Sequence, residues 1–134
     1  MISIYLEVQY TISIYCIMRF KKKYNFSERC KESARIMKKY PSRVPIICER
    51  GSSENIVPQI DKKKYLVPVD LTMGQFMYVI RKRLTLSPEM GLYIFINEKM
   101  PSMTALIGSI HKEDRESDGF LYVRYSGENT FGGK

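Results

Sequence analysis
One strongly patterned helix between two pairs of strand-like runs limits what this chain can fold into. Met73, Phe76, Met77, Ile80 and Leu84 recur at helical spacing and form a single apolar stripe. Thr72, with Gln75 three residues on, writes a capping box at its start. Arg81, Lys82 and Arg83 suit the negative end of its dipole. A helix with one apolar face must bury that face against a second layer. Strand-like runs on both sides supply one: Val44–Glu49 and Tyr65–Val69 before it, Leu92–Ile96 and Phe120–Tyr125 after it.

The remaining signals fill in the order. Phe20–Tyr24 is a short basic turn of helix or loop. Ser27 is read as the cap of a helix whose stripe is Phe26, Cys30, Ala34 and Met37. That helix stops near Lys39, because Tyr40 precedes Pro41 and leaves the α region. Ile36 falls off the chosen stripe and reads as an exposed apolar residue. Pro45 is admissible only near a strand start or on an edge. Lys62–Lys64 before Tyr65–Val69, with Pro68 inside it, marks an exposed edge strand. Asn97-Glu98 is a turn, and Thr104 caps a short helix reaching His111. The expected fold is α+β: a four-stranded mixed sheet of β-grasp type with a packed helix, preceded by helical segments.

Residues 1–17 stand apart. Ile2, Ile4, Leu6, Val8, Tyr10, Ile12 and Ile14 alternate with mixed positions, the period of a strand. Glu7 and Gln9 interrupt the run, and it is shorter than the roughly 20 apolar residues a membrane span needs. A basic n-region and a small-residue cleavage site are lacking, so it is a poor signal peptide. Met18 offers an alternative start, which leaves residues 1–17 as either an extension or an artefact. Residues 18–132 form the expected domain with its tail, and 133–134 a removable end.

Charge is unevenly spread. Residues 19–64 hold fourteen Lys/Arg against five Asp/Glu, while 65–134 hold eight of each. A basic front half suits acidic partners or anionic headgroups, or is a solvated surface. A nucleic-acid-binding domain is the rival reading, but no recognised nucleic-acid motif accompanies the lysines, and no nucleic acid is expected as a partner. Three cysteines (Cys16, Cys30, Cys48) without C-x-x-C spacing argue against a disulfide framework and zinc, and fit a reducing cytosol. Cys30 and Cys48 read as buried thiols. His111 is the sole histidine, which leaves little from which to build a hydrolase or a metal site. Neither catalysis nor a cofactor is expected.

The last nine residues, Ser126 to Lys134, carry no core pattern and end in a glycine pair and lysine. Glycine lets a thin tail approach a partner closely.

Several blocks together carry a family likeness. They are Lys38–Pro45, Asp61–Pro68, Leu71–Phe76 with Ile80–Arg83, Gly119–Val123 and Tyr125–Gly132. Over about Met18 to Gly132 the chain resembles the autophagy ubiquitin-like modifiers related to GABARAP. The resemblance implies a ubiquitin fold with two preceding helices and no catalytic activity. It implies trimming by a cysteine protease after Gly132, with Gly133 as a second possible cleavage point. Activating and conjugating enzymes then carry the glycine through thioesters to phosphatidylethanolamine. A cytoplasmic protein that moves to autophagosomal and vesicle membranes once lipidated is expected.

The resemblance further implies that cargo receptors add aromatic-x-x-aliphatic peptides to the sheet edge as a strand. The aromatic pocket would be lined by Glu32, Ile36, Pro45, Lys64, Leu66 and Phe120. The aliphatic pocket would use Tyr65, Val67, Pro68, Leu71, Phe76 and Val79. Arg43 and Arg83 would meet acidic residues flanking the motif. Three positions depart from the pattern: the 50–59 loop is one residue longer, Val79 replaces a common leucine, and Asn25 replaces the usual proline. The last is expected to loosen the helix start. A docking module that is never conjugated remains the alternative.

Overall fold
In the computed structural model, residues 3–4, 19–51 and 57–129 are described. Their elements run β1 (Ser3–Ile4), α1 (Arg19–Lys23), α2 (Phe26–Lys39), β2 (Arg43–Arg50), β3 (Lys64–Pro68), α3 (Met73–Leu84), β4 (Met90–Phe95), α4 (Ile107–Asp114) and β5 (Leu121–Asn129). The strand order across the sheet is β1-β3-β2-β5-β4. Strands β2 and β3 form an antiparallel pair, β5 lies parallel to β2, and β4 lies antiparallel to β5. Strands β2 to β5 are the expected four-stranded mixed sheet. The two residues of β1 add to it at the β3 side.

The sheet has a helix on each face. On one side α3 seats Met73, Phe76, Ile80 and Leu84 against Val44, Ile46, Tyr65, Val67, Val123 and Tyr125. Tyr65 and Phe76 meet edge to face, 5.5 Å between ring centres. Helix α3 starts as expected: the Thr72 hydroxyl accepts from the Gln75 N–H, and the Gln75 side chain accepts from the Thr72 N–H. Thr85, in the left-handed region at φ 55°, ends it. On the other side α1 and α2 cover a smaller cluster of Phe20, Ile47, Phe120 and Tyr122.

Four local expectations change. Asn25, not Ser27, caps α2: its side chain accepts from Glu28 N–H while Glu28 accepts from Asn25 N–H. Replacing proline there supplies a capping box and secures the helix start instead of loosening it. Helix α4 begins at Ile107 behind Leu106, which makes no side-chain cap, so Thr104 belongs to the preceding turn. Strand β5 continues through Ser126–Asn129, paired with Tyr93 to Met90, so the tail begins later than the sequence pattern suggested. Asn97 and Glu98 do form the expected turn, both at positive φ (52° and 67°), and Ile96 pairs with Lys99 across it.

The buried face of α2 also differs. Ser33 and Ile36 are buried, Ile36 at 1% exposure, while Phe26 is 50% exposed. Ile36 is therefore a core residue and not the exposed one expected. Cys48 is buried, but Cys30 is only half-buried. Of the period-two run in residues 1–17, Ser3–Ile4 is a strand, and residues 5–17 lie outside the described residues.

Candidate functional site
Strand β3 flanks the four-stranded sheet, and its backbone alternation decides what it offers. The Cys48 N–H donates to the Lys63 carbonyl (2.8 Å) and the Val69 N–H to the Ser42 carbonyl (3.0 Å). In an antiparallel ladder such pairs alternate with pairs that exchange no hydrogen bond. With Pro45 opposite Leu66 and Ile47 opposite Lys64, the odd-numbered β3 residues turn their backbone groups toward β2. Lys64, Leu66 and Pro68 turn theirs outward, away from β2. Pro68 therefore loses no ladder bond by lacking an N–H. Pro45 is tolerated on an inner strand because pairing with β5 begins only at Ile46. A strand added at this flank would bond to Lys64 and Leu66.

Side chains sort by the same period. Lys64 and Leu66 share a face with Pro45 and Ile47, the face covered by α1 and α2. There Glu32 accepts from the Lys64 ammonium in a close ion pair, and the ammonium lies 5.3 Å from the centre of the Phe20 ring. Burial lowers the Lys64 pKa, and the bond to Glu32 opposes that shift. Ile36 and Phe120 are buried on this side. Tyr65 and Val67 point to the α3 side with Phe76 and Leu71, and Val79 is a half-buried residue of α3. Apart from Pro68, which by this alternation shares the face of Lys64 and Leu66, the two residue sets thus occupy opposite faces of one edge. Positions i and i+3 of an added strand also point to opposite faces, because side chains alternate with period two.

The two arginines border these sets. Arg43 opens β2 opposite Pro68, and Arg83 lies in the last turn of α3 with its guanidinium 3.2 Å from the Asp61 carboxylate. Gly132 and Gly133 lie outside the described residues. What precedes them is described: β5 runs between β2 and β4, so the chain leaves from an inner strand.

Two polar anchors were not read from the sequence. The buried Asp118 carboxylate accepts from Arg29 Nε (2.8 Å), from the Tyr122 hydroxyl (2.5 Å) and from the Phe120 N–H (2.9 Å). It ties α2 to the start of β5. Burial, then the bond to Asp118, holds the Tyr122 hydroxyl well above its usual pKa. Gly119 follows at φ +94°, where an added Cβ would stand 2.3 Å from Ser33 Oγ. Both the backbone and the space require glycine there. The second anchor is Glu49, whose carboxylate accepts from the Arg19 N–H (2.7 Å) and the Phe20 N–H (2.8 Å) and so fastens α1. An Asp-Gly dipeptide is a turn signal that was not read at Asp118-Gly119, and nothing in the sequence points to the distant partners.

A family model described as the autophagy protein Atg8, ubiquitin-like, matches residues 28–132. This chain belongs to the Atg8 ubiquitin-like family. Autophagy-related protein 8 of Mycosarcoma maydis is 56% identical over 113 residues, 84% of this chain and 95% of the relative. The Saccharomyces cerevisiae protein of the same name is 54% identical over 84% of this chain and 96% of its own length. The Schizosaccharomyces pombe one is 56% identical over 85% of this chain and 93% of its own length. The crystal structure of Trypanosoma brucei ATG8 superposes with a TM-score of 0.79 at 38% identity, covering 87% of this chain and all of the other. The expected family and fold are both borne out. Among the described residues of this Atg8-family chain, no helix is long and apolar enough to cross a membrane.

Proposed function
We propose that this chain is a ubiquitin-like modifier whose Gly132 carboxyl group is joined to phosphatidylethanolamine on autophagosomal membranes. The observation that carries the reading is the extent of the Atg8 family match, which runs to residue 132 and stops short of Gly133-Lys134.

The chemistry follows from the covalent state of Gly132. Its carbonyl is tied up in the peptide bond to Gly133, so a cysteine protease must first hydrolyse that bond and release Gly133-Lys134. The free carboxylate is then activated by ATP and passed as a thioester from the activating to the conjugating enzyme. Attack by the lipid's primary amine expels the thiol and leaves an amide. In this sequence the domain is the substrate and the partner enzymes supply the catalysis. Glycine at the junction lets the tail enter narrow active-site channels.

The anchored domain then gathers cargo receptors by strand addition at β3. Outward backbone groups at Lys64 and Leu66 support this reading, as do the side-chain sets on the two faces. Glu32, Ile36, Pro45, Lys64, Leu66 and Phe120 would take the aromatic residue of an aromatic-x-x-aliphatic motif. Tyr65, Val67, Pro68, Leu71, Phe76 and Val79 would take the aliphatic one. Arg43 and Arg83 would favour acidic flanks, mainly through association rate and selectivity. The protein would be cytoplasmic before conjugation and on autophagosomal and vesicle membranes after it.

The test is Gly132→Ala expressed in cells under starvation. A diffuse protein in place of membrane puncta is expected, and undiminished puncta would overturn the conjugation reading.

A further inference from the structure
We propose that the amino-terminal strand β1 is an internal occupant of the docking edge, which an incoming peptide must displace. The inference rests on the docking reading of β3 given above.

Ser3 pairs antiparallel with Leu66 and Ile4 with Tyr65. Leu66 is one of the residues whose backbone N–H and carbonyl turn away from β2. The alternation therefore makes Ser3–Leu66 the pair that exchanges both hydrogen bonds. Those are the groups a cargo peptide needs in order to lie along β3. One edge cannot serve two strands, so β1 and a peptide exclude each other.

Two residues of edge pairing contribute little alone, since each intramolecular hydrogen bond nets only about 0.5–1.5 kcal/mol. Tethering changes the balance. A segment joined to its site by a short linker acts at an effective concentration on the order of millimolar. A peptide supplied at micromolar concentration then meets an edge that is open only part of the time. Its apparent dissociation constant rises by the reciprocal of the open fraction, about tenfold for an edge open roughly one-tenth of the time. The extension would thus set a threshold: tight or multivalent receptors displace it, and weak single motifs do not.

Ser3→Pro in the full chain tests this. Proline at position 3 deletes the N–H that faces Leu66, while the β2–β3, β2–β5 and β4–β5 ladders do not involve that residue. Two readouts are taken on the native chain and the variant: hydrogen exchange at the Leu66 amide, and titration with a fluorescent aromatic-x-x-aliphatic peptide. We expect the variant's Leu66 amide to exchange at least about tenfold faster, and the peptide to bind at least about threefold tighter. Unchanged exchange, or faster exchange with unchanged affinity, overturns the proposal. A difference that vanishes on dilution of the protein also overturns it, because the strand would then come from a second copy. Peptide binding by neither protein overturns the docking reading itself, and the proposal with it.

Discussion

Pro45 on β2 stands opposite Leu66 on β3, a pair that exchanges no backbone hydrogen bond, so the amide of Leu66 faces the outer flank of the sheet. A residue without an N–H thus sits where β3 needs none from it, and the edge keeps its own donor for a partner. The residues on either side of Leu66 do the opposite and hold the sheet together.

The Leu66 amide should therefore be separable from the Leu66 side chain. Leu66→Ala removes the side chain alone, and Leu66→Pro removes the outward N–H as well. One hydrogen bond nets about 0.5–1.5 kcal/mol, so in the Ser3→Pro background, where β1 does not compete for that N–H, the proline variant should bind an aromatic-x-x-aliphatic peptide about two- to tenfold more weakly than the alanine variant. Both should remain folded by circular dichroism, because the β2–β3 bonds come from Tyr65 and Val67. Equal affinities would contradict the outward assignment.

Asp118→Asn should be among the most damaging substitutions away from the edge. The side chains of Arg29 and Asp118 are 12% and 1% exposed, so the pair is nearly dry. Removing one charge from such a pair leaves the other buried without its counter-charge, at about 3 kcal/mol or more. Thermal unfolding should fall by roughly 10 °C. A shift of a degree or two would show that the Arg29–Asp118 tie between α2 and β5 matters little.

His111 gives the fold a defined response to acid. Its Nε2 lies 2.8 Å from the Gly119 carbonyl, so the ring donates there. Burial, partly offset by that bond, lowers the folded-state pKa from the ordinary 6.5. As pH falls below about 6.5, the unfolded chain takes up a proton that the folded chain refuses, so this contribution to stability is present above that range and lost below it. Urea unfolding at pH 7.5 and 5.5 should show a larger loss in the native protein than in His111→Gln. Parallel losses in the two proteins would contradict the assignment.

Much of this was legible in the chain. Helix α3 was, because its stripe is wholly apolar and Thr72 and Gln75 leave one reading of its start. The β3 flank was legible only in part: lysine and proline mark an exposed edge, whereas β1 pairs with β3 there and Lys64 to Val67 are buried. Helix α2 misled for a physical reason. Its buried face is fastened by polar groups, Arg29 and Ser33 to Asp118 and Glu32 to Lys64, so hydropathy pointed at Phe26 and Ala34 instead of Ile36. The end of β5 was hidden because Ser126–Asn129 pair through backbone. Gly127 in that stretch would put an added Cβ 2.2 Å from Val57, a constraint with no trace in a periodicity. The pairing of β1 with β3 joins residues more than sixty positions apart, and no local pattern specifies it.

The central claim is that the carboxyl group of Gly132 is the reacting group, and the intact mass of the protein isolated from starved cells tests it most directly. The account predicts a chain ending at Gly132, lighter by Gly133-Lys134, with a membrane-bound fraction heavier by one phosphatidylethanolamine less one water. A mature chain that still ends in Lys134, with no lipid adduct, would contradict it.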